Sequence, residues 1–184
     1  MVRFTYYKLE TIMPIEETSP EQTADPNIDH LIDERNAWLE QALNPDGSLP
    51  SAKVTLLDGN MQRCERTLPQ NPPFDGNSGS LYLRIPESEE AVADMVYGQD
   101  PSLPGKLIAT DVSALPDFRG RGLGKRLYLE GLKALPLGYG LVSHSIHDPK
   151  GDGDRMWKWL VECGVARERS EPVQGQIGRY ETVF

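Results

Sequence analysis

The chain is poor in most of the features that fix a function at sight. It has two cysteines in 184 residues, Cys64 and Cys163, too few for a disulfide framework or a cysteine metal set. Ordinary reduced thiols are the expectation, and with them a cytoplasmic location. No apolar run approaches the roughly 18 residues needed to span a bilayer. The opening MVRFTYYKLETI alternates like a strand and lacks the apolar middle of a signal peptide. Positive charge is also short. Nineteen Lys and Arg stand against 28 Asp and Glu, for a net charge of −9. Such a field repels nucleic acid and anionic membrane and favours cationic partners, while leaving room for a local basic pocket. Apolar residues make up only 38%, and there are 17 glycines and 15 prolines. That balance describes a folded domain with several long loops.

Periodicity then divides the chain. Residues 1–12 read as a strand and 13–25 as an acidic loop. Asp25-Pro26 opens a helix, with a capping carboxylate and a proline at the first helical position. Ile28, Leu31, Ile32, Trp38, Leu39, Ala42 and Leu43 recur along it at helical spacing. Residues 53–57 and 81–85 read as strands, with a long loop over 61–79 between them. The stretch PESEEAVADMVY, residues 86–97, resembles a short helix with acids in its first turn. Residues 106–115 form the clearest strand, followed by an amphipathic helix over 122–135, a strand over 141–146, and a helix from Asp154 to Gly164. Two tail segments, 165–173 and 178–184, can pair as strands. The order predicts an α/β (α+β) fold with a mixed, partly parallel sheet flanked by helices.

One stretch carries chemistry: ALPDFRGRGLGKRLYLEGL, residues 114–132. Glycines before a helix let its unpaired N–H groups converge on a phosphate. Arg119, Arg121 and Lys125 bring positive charge to that point of an acidic chain. A P-loop would need Ser or Thr after its lysine, and Arg126 follows Lys125; a dinucleotide loop needs G-x-G-x-x-G, and here Gly120, Gly122 and Gly124 alternate. A sharp strand–helix turn is the plainer alternative.

Ala114, Pro116, Phe118, Arg119, Gly120, Gly122 and Gly124 resemble the V-x-P-x-[YF]-R-G-x-G-x-G motif of the GNAT superfamily of N-acetyltransferases. The resemblance is specific over about 20 residues, and the strand–loop–helix–strand–helix order extends it over 106–164. It implies one GNAT-like domain: an acceptor-side half at 1–105, an acetyl-CoA-binding core at 106–164 and C-terminal strands at 165–184. The N–H groups of Gly120, Arg121, Gly122, Leu123, Gly124 and Lys125, with Arg119, would hold the diphosphate of acetyl-CoA. The backbone near Val112 and Ala114 would pair with its pantetheine arm. The implied activity is acetyl transfer to a primary amine of a small molecule or protein, by direct attack in a ternary complex. A non-catalytic CoA-binding or structural protein of the same fold is the alternative. The sequence leaves a homodimer open.

Amine acetylation needs a base for the amine and a donor for the leaving thiolate. Asp111, the only acid on the central strand, shares a face with Leu107, Ala109 and Ser113 by simple alternation, and is a candidate base. His147, at the end of the strand over 141–146, is a second candidate near neutral pH; His144 lies on the same strand. His144, His147 and Asp148 are too few for a metal site. The family's acid is a tyrosine in a helix pattern resembling L-Y-x-K-x-G-F. Here Leu160 stands at that position and Val165 at the phenylalanine, which leaves Tyr128 and Tyr180 as candidates if they face the cleft.

Overall fold

The computed structural model describes residues 26–51, 53–64, 79–100, 102–144, 152–170 and 177–184. The expected first strand, the acidic loop after it and His147 lie outside the described residues. Helix α1 (Pro26–Leu43) leads to β1 (Thr55–Asp58), β2 (Gly79–Arg84), β3 (Ala93–Gln99) and β4 (Lys106–Ala114). A short turn, Pro116–Phe118, precedes α2 (Leu123–Ala134), then β5 (Gly140–His144), α3 (Asp152–Glu162), β6 (Ala166–Glu168) and β7 (Ile177–Thr182). The seven strands form one sheet in the order β1-β2-β3-β4-β5-β7-β6. β4 and β5 run parallel, and every other neighbouring pair is antiparallel. The fold expected from the sequence, a mixed sheet flanked by helices, is the one observed. No helix among the described residues is long and apolar enough to cross a membrane.

The segment expected to be a helix over 86–97 is instead a turn and strand β3. Glu87, Glu89 and Glu90 are exposed in the turn, and from Ala93 to Tyr97 burial alternates residue by residue. The acids imitate a helix's first turn, but Ala93, Met95 and Tyr97 bury their side chains on one face of the strand, between β2 and β4. Tertiary pairing overrides the local preference.

α1, α2 and α3 pack into one apolar cluster with the sheet: Leu39 and Leu43, Leu127 and Leu132, Trp157 and Leu160 meet Leu81, Leu83, Met95 and Leu107. α1 is tied to α2 by polar groups as well. The Arg35 guanidinium donates to the carbonyls of Lys133 and Leu135, at 2.8 and 2.6 Å, where α2 leaves acceptors and negative dipole unmatched. Glu40 of α1 meets Lys133 and Arg126, and Arg126 reaches Glu130 at 2.6 Å. Gly131 lets α2 lie close to the sheet, since a Cβ there would sit 3.4 Å from Leu81. Gly124 faces Met156 of α3, not the sheet as its position on the apolar half suggests.

Two features of β4 set the surface it offers on the side of β5 and of α2. Among the described residues β4 pairs with β5 from Lys106 opposite Gly140 to Ala109 opposite Ser143, and β4 itself continues to Ala114. At the same point one step of β3, Val96 to Tyr97, spans two of β4, Asp111 to Ala109. Thr110 is thus an extra residue, a bulge whose hydroxyl donates to the Val96 carbonyl at 3.1 Å. A bulge reverses the in–out alternation beyond it. Val112 and Ala114 therefore pack on the same cluster as Leu107 and Ala109. Asp111 and Ser113 point to the opposite, exposed side, which corrects the face expected for Asp111.

Candidate active site

The loop between β4 and α2 is built by local backbone chemistry. Phe118 and Arg119 donate back to Leu115 and Pro116, closing a tight turn. Gly120 and Gly122 then take φ of +73° and +77°, the left-handed region open to glycine at little cost. Gly122 is the N-cap of α2, contributes no capping side chain, and no acid stands in the first turn. Arg126 N–H is the first amide to reach a helical carbonyl, that of Gly122, at 3.0 Å. The amides of Leu123, Gly124 and Lys125 precede it and have no carbonyl to meet. Those of residues 120–122 have no hydrogen-bond partner among the described residues. A row of free donors thus sits on the positive end of the helix dipole.

Three cations surround this row. Arg119 Nε donates to the Ala114 carbonyl at 3.1 Å, folding the turn onto the end of β4. The Arg121 guanidinium lies 4.9 Å from the Phe118 ring centre, and the Lys125 ammonium 4.6 Å from that of Trp159. None of the three has a carboxylate partner among the described residues, whereas Arg126, Lys133 and Arg155 all do.

The donors and cations open onto a cleft of about 890 Å³. All nine residues expected to hold a cofactor line it: Val112, Ala114, Arg119, Gly120, Arg121, Gly122, Leu123, Gly124 and Lys125. The opposite walls were not anticipated. Ser48 and Leu49 follow α1, and Asp152, Gly153, Arg155 and Met156 open α3. Pro50 and Met156 close against the loop, 3.2 and 3.3 Å from where Cβ atoms on Gly122 and Gly124 would be. Alternating glycines signalled the loop, but nothing local in residues 48–49 marks them as its wall.

The candidates for proton transfer separate. Asp111 is exposed on the face away from α2 and does not line the cleft. Beside it, Ser113 donates its hydroxyl to Asp94 of β3. Leu160 is 0% exposed, packed in the core. Tyr180 is buried away from the cleft. Its hydroxyl donates to Asp154 Oδ1 at 3.1 Å, and its ring stacks on Trp157 with centroids 6.1 Å apart. Burial, with the Asp154 hydrogen bond and charge adding, holds the Tyr180 phenol above its usual pKa. Tyr128 does line the cleft, although only 2% of it is exposed. It meets Trp157 edge-on at 6.0 Å. Burial first, and the charge of Asp111 second, raise its phenol above the usual range.

No protein-family model matches the sequence, and no curated protein does. Several solved structures are similar in fold. A protein assigned as an acyl-CoA N-acyltransferase from Klebsiella pneumoniae aligns over 88% of this chain and 92% of its own, at 19% identity and a TM-score of 0.41. An IAA acetyltransferase from Bacillus cereus aligns over 71% of this chain and 96% of its own, at 11% identity and a TM-score of 0.39. A protein assigned to the GNAT family from Desulfovibrio desulfuricans aligns over 58% of this chain, at 16% identity and a TM-score of 0.41. The match spans just under two thirds of that protein, 65% of its length. These superpositions are partial, and each concerns the fold and not the activity.

Proposed function

We propose that the protein is an acetyl-CoA-dependent N-acetyltransferase of the GNAT type, acting on a primary amine. The observation that carries this is the row of amides at residues 120–125, unpaired among the described residues, flanked by three cations without acidic partners among them, at the mouth of a cleft lined by the end of β4. Free donors at a helix N-terminus bind phosphate. Left-handed glycines and the absence of side chains at 120, 122 and 124 make room for a diphosphate there. Arg119, Arg121 and Lys125 offset its charge. The backbone of Val112 and Ala114 is the strand edge along which a pantetheine arm would run.

Bound there, acetyl-CoA supplies a thioester whose acyl carbon an amine can attack directly. The amine has to arrive uncharged. Asp111, exposed beyond the bulge, would accept its proton or hold the ammonium form beforehand, and His147 is the other candidate base. The net charge of −9 favours a cationic acceptor, either a small polyamine-like molecule or a protein amine. Loss of the expected acid at Leu160 favours a second reading, a CoA-binding protein without catalysis.

Thermal-shift titration with acetyl-CoA, CoA and ATP tests the cofactor. Ligand at about 100 times its Kd adds about 2.7 kcal/mol, or roughly 5–10 °C for a domain of this size. Stabilisation by acetyl-CoA and CoA but not ATP is expected; equal or absent shifts overturn the proposal. Thiol release from acetyl-CoA across an amine panel then separates enzyme from binding protein.

A further inference from the structure

Acyl transfer to an amine forms a C–N bond and breaks the C–S bond, and the electron pair of that bond stays on sulfur. The ammonium proton goes to the base or to water. Charge therefore develops on sulfur inside the protein, where a fixed hydrogen-bond donor lowers the barrier most. The position where the family resemblance implies such a donor is Leu160, which is apolar and 0% exposed.

Three of the residues that border the cleft carry a hydroxyl: Ser48, Ser113 and Tyr128. Ser48 lies in an exposed turn and bonds to Asp46. Ser113 turns to the other face of β4, where its hydroxyl donates a hydrogen bond to Asp94. Tyr128 alone has no hydrogen-bond partner for its hydroxyl among the described residues. It stands six residues beyond the Gly122 cap, about 9 Å down the helix from the diphosphate cradle. It lines the same cleft as Val112 and Ala114, the end of β4 just past the bulge. Trp157, edge-on at 6.0 Å, fixes the ring.

We propose that the Tyr128 hydroxyl is the hydrogen-bond donor to the departing sulfur, supplied from α2 in place of the position held by Leu160. This rests on the acetyl-CoA reading above. The phenol keeps its proton: burial and the nearby negative charge of Asp111 hold it neutral. It stabilises the thiolate by donation, while net protonation comes from water after release.

The test uses CoA and desulfo-CoA, which lacks the sulfur, and needs no acceptor. Affinities are measured by calorimetry from pH 6.5 to 9.5 for the wild-type protein and Tyr128→Phe. A donor to sulfur favours the thiolate, so wild-type affinity for CoA rises with pH, about tenfold for each unit by which the bound thiol pKa falls. Tyr128→Phe loses that rise. Desulfo-CoA binds both proteins alike at every pH. Asp111 on β4, Lys125 on α2, and Asp152 and Arg155 on α3 are common to both proteins, so their effects cancel. The phenylalanine ring keeps the contact with Trp157, and an unchanged Tm verifies the fold. Equal pH slopes for CoA in the two proteins overturn the role of Tyr128 while leaving the cofactor reading intact. Failure of wild type to bind either ligand overturns both.

Discussion

Gly122 does two things at once. Its φ of +77° turns the chain into α2, and its missing side chain leaves the first-turn amides uncovered while Pro50 closes in behind, 3.2 Å from a would-be Cβ. Gly122→Val would strain the backbone by about 1–2 kcal/mol and push against Pro50. The expected outcome is a folded protein, with native circular dichroism and a modestly lower Tm, whose CoA affinity in calorimetry falls at least tenfold. Retained affinity would separate the glycine from the binding site. Residues of this kind are legible in sequence because their demand is local: a left-handed turn calls for glycine, and a phosphate calls for free amides with cations near. Asp111 was legible as a candidate but not in its placement, because simple alternation fails across Thr110 and a bulge is decided by how two strands meet.

Among the elements, α1 is held to α2 by charge as well as by Leu39 and Leu43. Burial alone would push the Glu40 carboxyl up, but the hydrogen bond and charge of Lys133, with Arg126 beyond, outweigh it and hold its pKa below the ordinary value. A depressed folded-state pKa adds stability above the unfolded value near 4.3, and that stability is lost as pH falls through the folded pKa. Denaturant melts of wild type and Glu40→Gln should therefore differ at pH 6–7 and converge toward pH 3. A constant gap would place the contribution in packing instead. Helices α1, α2 and α3 were legible because their apolar spacing is sustained over three or more turns. β3 was not. Its acids stand in a turn where a helix's first-turn acids would, and only the strands on either side make Ala93 to Tyr97 extended.

Across the sheet as a unit, the strands fall into two antiparallel leaves. One is β1 to β4, the other β5, β7 and β6, and a seam of four residue pairs stitches them together. Beyond the last described pair, β4 runs on from Thr110 to Ala114, and its end lines the cleft. An elongated ligand with its own amide groups would lie there as a missing strand. Binding should then be visible without any chemistry, as slowed amide hydrogen exchange over residues 110–114 on acetyl-CoA addition. The outer strands β1 and β6, far from the seam, should exchange as before. Slowing spread evenly over the sheet would instead signify general tightening. Such a ligand would act as a clasp between two halves of a sheet that, among the described residues, four pairs hold in parallel register.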